Sequence, residues 1–134
     1  MKPKIAIVNS TSFGIKFPEH IEKLKEFADV ERINFPRDVL EENIVRALKD
    51  FDGLIIGLSP VYNRNILKEL KNLKIISRHG IADSNVDLKA ATELGIYVCR
   101  FPLEIQRESM AEYTIALILA IIRKLIEAAE YTKQ

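Results

Sequence analysis

"LKIISRHGIADSNVDLKAATELGIYVC", residues 73–99, runs from strand to loop to helix to strand with little left over. Residues 73–77 form a short apolar run, as in a strand covered on both faces. Asp87 stands where a helix N-cap belongs, and Gly95 supplies the left-handed residue that stops the helix in "DLKAATELG". "IYVC" at 96–99 then reads as the next strand. Strands separated by a helix rather than a tight turn run parallel, so the stretch predicts a crossover unit of an α/β fold.

The same alternation extends upstream. "KIAIV" (Lys4–Val8), "VERINF" (30–35) and "GLIIG" (53–57) read as three further strands. "VERINF" alternates apolar and polar residues, which places it at a sheet edge, whereas the others are continuous Ile, Val and Leu. Pro18 opens a first helix with Ile21, Leu24, Phe27 and Ala28 on its inward face. A second helix is expected from an N-cap at Asp38, with Leu40, Ile44, Ala47 and Leu48 inward, and a third over residues 63–70. The last is expected as one piece from Glu104 or Arg107 to near Tyr131, roughly 36 Å long. Five strands and five helices in alternation imply a flavodoxin-like three-layer α/β sandwich. Its parallel sheet takes the order 2-1-3-4-5, with a long C-terminal helix, in one domain over residues 1–134.

Composition excludes several classes. The formal charge is +1 with Lys and Arg spread along the chain, which argues against nucleic acid as a partner. A single cysteine, Cys99, forms no internal disulfide, and no His/Cys grouping offers a metal site. The apolar run at 115–122 is far shorter than the about 20 residues that span a bilayer, so no membrane segment is expected. The start of the chain carries no signal-sequence pattern, and a cytoplasmic location is the default expectation.

In such sheets ligands bind beyond the carboxyl ends of the strands, near the switch point between the first and third. The loop "NSTSFG" (9–14) reads either as a phosphate-holding turn or as a polar helix-capping turn. A phospho-receiver domain is excluded, because Asn9 and Gly57 stand where acidic residues would be needed. The loop "RHGIADSN" (78–85) offers a cation, an imidazole and accessible amides. Two readings stand there: an anion site, or a structural turn with Arg78 salt-bridged locally and His79 packed under the sheet edge.

Residues 73–98 followed by "FPLEIQRESMAEYTIALILAIIRK" resemble the D-isomer-specific 2-hydroxyacid dehydrogenases, the group of phosphoglycerate dehydrogenase. Asn85, Val86, Asp87, Ala90, Ala91, Gly95, Pro102, Ala111, Glu112 and Thr114 carry the likeness. It implies the substrate-binding, or catalytic, domain of a two-domain oxidoreductase that uses NAD or NADP on a 2-hydroxy or 2-oxo acid. The resemblance implies a substrate site at Gly80, Ile81 and Ala82, whose backbone amides hold the carboxylate in part, bordered by Ser59 and Pro60; Arg78 and His79 join it from the residue types of their loop. The family's coenzyme fingerprint and its catalytic Arg, Glu and His lie beyond the long helix. No catalytic, cofactor-binding or metal-binding residue is therefore assigned here, and these residues alone are expected to be inactive. Ala82, Ser84, Leu103 and Met110 depart from the family pattern, which suits the alternative of a non-enzymatic ligand-binding or dimerising module, an excised and adapted domain. The last helix is apolar nearly all round, so a homodimer is expected through Met110, Tyr113, Thr114, Leu117, Ile118, Ile121 and Ile122.

Overall fold

A computed structural model describes residues 2–132; positions 1, 133 and 134 of the expected domain lie outside the described residues. In chain order the elements are β1 (Lys4–Val8), α1 (Glu19–Lys25), β2 (Asp29–Ile33), α2 (Glu41–Leu48), β3 (Gly53–Ile56) and α3 (Arg64–Glu69). There follow β4 (Ile75–Arg78), α4 (Leu88–Glu93), β5 (Tyr97–Arg100), α5 (Leu103–Ile122) and α6 (Leu125–Tyr131). All strand pairings are parallel and the order is β2-β1-β3-β4-β5, the flavodoxin-like arrangement expected from the alternation. The chain divides into two compact units, Met1–Phe101 and Pro102–Gln134.

In the first unit, strand alternation brings Ala6, Val8, Leu54, Ile56 and Ile76 to one sheet face. Ile44 and Leu48 of α2, Ile66 and Leu67 of α3, and Ala90 and Ala91 of α4 close over them. Each large aliphatic side chain removed from water there contributes about 1.5–3 kcal/mol. The small alanines of α4 let its backbone approach the sheet. Asp87 caps α4 by accepting from the Ala90 amide at 2.8 Å, and Asn63 caps α3 by accepting from Ile66 at 3.1 Å. Gly95 takes φ +72° and ends α4.

Three expectations are corrected. The second helix begins after Leu40, with no side-chain cap; residues ahead of it turn through the Val39 amide bonded to the Pro36 carbonyl, so Asp38 caps nothing. Leu40 and Phe27, expected inward, are exposed. The last helix is two helices. Lys124 sits in the left-handed region at φ 50°, and its amide reaches back only three residues to Ile121. A non-glycine residue held there costs about 1–2 kcal/mol. No glycine or proline marks the break. Strand ends otherwise shift by a residue or two. Among the described residues no helix is long and apolar enough to cross a membrane.

Candidate functional site

The carboxyl ends of β1, β3 and β4 meet at the switch point, and the first residue there is Asn9. It takes φ 47°, which asparagine tolerates better than most residues. This turns its carboxamide across the sheet edge: Nδ2 donates to the Phe35 carbonyl at 3.0 Å and to Ser59 Oγ at 2.9 Å, while Oδ1 accepts from the Phe35 amide at 2.7 Å. One side chain thereby ties the ends of β1, β2 and β3. Gly57 leaves β3 so close to this turn that a Cβ would lie 1.9 Å from the Asn9 carbonyl oxygen. No other residue fits.

Asn85, buried, donates from Nδ2 to the carbonyls of Gly57 (3.2 Å) and Pro60 (3.1 Å). It locks the β3 loop, which carries the cis Ser59-Pro60 bond, onto the β4 loop. Tyr62 is wholly buried beside it, its amide donating to the Asn85 carbonyl at 2.7 Å. Its hydroxyl has no partner among the described residues, and burial pushes the phenol well above the usual tyrosine range.

Arg78 ends β4 with only 4% of its surface exposed. Its Nη1 donates to the carbonyls of Ile56 and His79, Nε meets no partner, and no carboxylate forms an ion pair with it among the described residues. The local salt bridge weighed from sequence is thus not formed. Burial disfavours the charged guanidinium and lowers its affinity for the proton, although arginine stays protonated at any ordinary pH. Gly80 lies directly over this group: at φ 149°, a Cβ on it would stand 2.9 Å from Arg78 Nη1. The amides of Ile81 and Ala82, next in the chain, donate to no acceptor among the described residues. Arg100 straps the same loop, with Nη1 on the Ile81 carbonyl at 2.8 Å and Nε on Asp83 at 3.1 Å. The Phe101 amide holds the Gly80 carbonyl at 3.1 Å.

His79 sits beside this cation, half-buried. Its Nδ1 lies 3.0 Å from Ser10 Oγ, and the rings of Phe13 and Phe101 meet it edge-on at 5.5 and 5.7 Å. Burial first, and Arg78 second, hold its pKa below the ordinary 6.5. Ser10 is itself buried and also accepts from the Phe13 amide at 3.3 Å. Arg32, from β2, donates to the carbonyls of Ser10 and Phe13. The "NSTSFG" loop is thus tied to protein partners through its first hydroxyl, which favours the polar turn over a phosphate cradle.

The fold therefore brings Arg78, His79, Gly80, Ile81 and Ala82 into one loop above a buried cation. It links Ser59 and Pro60 to that loop through Asn9, Gly57 and Asn85. Reading by residue type missed Asn9, Arg32 and Arg100 as organisers. A signal for Asn9 existed, since asparagine at a strand end is a common left-handed residue. The two arginines gave none beyond their charge. Hollows elsewhere in the first unit lack such a group. One of about 450 Å³, lined by Lys4, Asp29, Glu31 and Asp50 among others, holds no buried unpartnered atom. No cluster of three His, Cys, Asp or Glu side chains able to hold a metal occurs among the described residues.

Comparison with known proteins gives a consistent family. The family described as "D-isomer specific 2-hydroxyacid dehydrogenase, catalytic domain" matches residues 6–134. A glyoxylate reductase of Thermococcus kodakarensis is 31% identical over 134 residues, which are 99% of this chain and 38% of that protein. The apo structure of D-lactate dehydrogenase from Escherichia coli superposes with TM-score 0.73 and 26% identity, over 97% of this chain and 40% of that one. NAD+-bound 3-phosphoglycerate dehydrogenase of Entamoeba histolytica superposes with TM-score 0.70 and 25% identity, over 90% and 39%. The chain thus spans well under half the length of these relatives.

Proposed function

The chain belongs to the D-isomer specific 2-hydroxyacid dehydrogenase family, and we propose that loop 78–82 holds the carboxylate of a small 2-hydroxy or 2-oxo acid. In this reading it is the substrate-binding half of such an oxidoreductase. The observation that carries it is Arg78. A cation this buried is costly without a counter-charge, and protein supplies none among the described residues. Beside it two free amides follow a glycine of positive φ, an arrangement suited to anions. Arg78 supplies the field, the amides of Ile81 and Ala82 supply directed donors, and Ser59 with Pro60 borders the same edge. Gly57 leaves no room for a side chain at the end of β3, so recognition of a second, phosphate charge from that position is disfavoured.

The residues described do not fit NAD or NADP. A dinucleotide needs backbone bared by closely spaced glycines after β1. Here Gly14 is the glycine of that loop, and the space of its missing side chain is filled by Ile21, 2.2 Å from where a Cβ would stand. No reaction step is assigned to the chain, which alone is expected to bind an acid without reducing it. Calorimetry with glycolate tests the reading. Saturable binding is expected for the wild-type protein. Arg78→Met should weaken it tenfold or more, since a fixed opposite charge a few ångström away is worth upwards of about 1 kcal/mol even where water screens it. Absence of binding, or binding indifferent to Arg78→Met, contradicts it.

The partner is proposed to be a second copy, meeting through residues 111–126. None of α5 is buried; Met110, Tyr113, Leu117, Ile118, Ile121 and Ile122 are 45–76% exposed on one side of the helix, and Ile115 and Leu119 are exposed on the other. Apolar surface of that extent rarely stays in water, and a two-fold pair is the commonest way for identical chains to cover such a face. Sedimentation at micromolar concentration should give twice the 15.3 kDa chain mass; a monomer overturns this.

A further inference from the structure

We infer that His79 takes up a proton when an acid occupies loop 78–82, so that carboxylate binding strengthens as pH falls. The inference rests on the carboxylate reading above and deepens it. His79 is a half-buried titratable side chain next in sequence to the buried guanidinium, with the rings of Phe13 and Phe101 edge-on against its imidazole. Its main chain is bound at both ends of the same construction: its amide donates to the Ile56 carbonyl at 2.9 Å, and its carbonyl accepts from Arg78 Nη1. The ring therefore cannot swing away from whatever charge the loop holds without breaking the Ser10 contact and both aromatic contacts. Its Nε2 has no partner among the described residues, which leaves one ring nitrogen able to carry a proton without losing an existing bond.

The electrostatics then follow from occupancy. With the loop empty, partial burial and the uncompensated positive charge of Arg78 both favour the neutral ring. A bound carboxylate offsets Arg78 and adds attraction for an imidazolium, and the pKa must rise. By linkage, whatever binds tighter to the protonated form draws in a proton on binding. The other charged groups on the surrounding elements do not change with occupancy. Arg32 of β2 is bonded to the Ser10 and Phe13 carbonyls with no ion pair among the described residues, and its charge is the same whether the loop is empty or filled, while Arg100 of β5 pairs with Asp83 and His20 of α1 packs against the Phe13 ring. Ser10 Oγ accepts from or donates to Nδ1 of the neutral ring and accepts from it once the ring is protonated, so it positions the ring in both states and carries no charge. His79 is thus a positioning and tuning residue of the loop, not a group that exchanges protons with a reacting carbon.

The test uses the full chain and glycolate, which stays ionised across the range of interest. The imidazole C2–H signals are followed by NMR from about pH 5 to pH 8 without and with saturating glycolate. With two histidines in the sequence, His20→Gln assigns them. The His79 midpoint is expected below about 6.5 in the free protein and at least one unit higher when glycolate is bound, which corresponds to roughly tenfold tighter binding at the acid end of the range. Calorimetry at pH 7 in phosphate and in Tris should show net proton uptake for the wild-type protein. His79→Gln, which keeps a hydrogen-bonding side chain beside Ser10, should bind glycolate without uptake. Glycolate binding with an unmoved His79 midpoint and no uptake overturns the inference and leaves the carboxylate reading intact. No glycolate binding at any pH overturns both.

Discussion

The carboxyl edge of the sheet and the helix pair α5–α6 solve opposite problems. At the sheet edge, side chains from distant parts of the sequence tie one another down: Asn9 to Ser59 and Phe35, Asn85 to Gly57 and Pro60, Ser10 to His79. In α5–α6 the side-chain hydrogen bonds are local, such as Thr114 Oγ1 to the Met110 carbonyl at 2.7 Å, and no residue of α5 is buried. The first region is specified by tertiary contacts, and its unpartnered groups among the described residues include the Arg78 guanidinium Nε, the Tyr62 hydroxyl and the Ile81 and Ala82 amides. The second is specified by helix propensity and carries its apolar surface as an unmet demand.

Substitutions that break this contrast should rank accordingly. Gly57→Ala drives a methyl into the Asn9 carbonyl and should cost about 3 kcal/mol or unfold the chain, measured by denaturant melts. Ile118→Glu with Ile121→Glu should do the reverse: little change in the melting of the first unit, but loss of self-association by at least about thirtyfold, read by sedimentation. Asn9→Ala removes three hydrogen bonds and the residue suited to φ 47°, costing about 2 kcal/mol, with Asn9→Gly recovering only the backbone part.

The smallest effect is a pH dependence. The folded-state pKa of His79 is depressed, so the unfolded chain binds more protons in the acid range. Its neutral ring is fully compatible with the fold above about pH 6.5. Stability should therefore decline as pH falls below that value toward the folded pKa, and His79→Gln should flatten this component. A carboxylate contribution of the usual sign overlaps it at lower pH. Asp52 is held below its ordinary range by the Lys4 amide and then by Lys74, so its stabilisation, full above the ordinary carboxylate range, is lost as pH falls from there through that depressed value.

Much of the fold was legible from periodicity, because both signals used are local. Continuous apolar runs separated by capped helices leave few arrangements for a parallel sheet, and Asp87 and Gly95 bounded α4 as expected. What escaped depended on contacts or on a single backbone torsion. The break at Lys124 involves an ordinary residue in an uncommon conformation. Asp38 looked like a cap, but Pro36 starts a turn that pushes the helix start beyond it. At the site, residue types pointed to Arg78 and Gly80 as neighbours in sequence. That glycine lies over the guanidinium, and that no acid neutralises it, depends on where four other loops end.

Amide proton and nitrogen shifts of Gly80, Ile81 and Ala82, followed during titration with glycolate at constant ionic strength, test most directly whether loop 78–82 is a carboxylate site organised by Arg78. Saturable shifts confined to this loop and its neighbours, and abolished by Arg78→Met, are the expected result. Shifts that fail to saturate, or that persist undiminished in Arg78→Met, would contradict it.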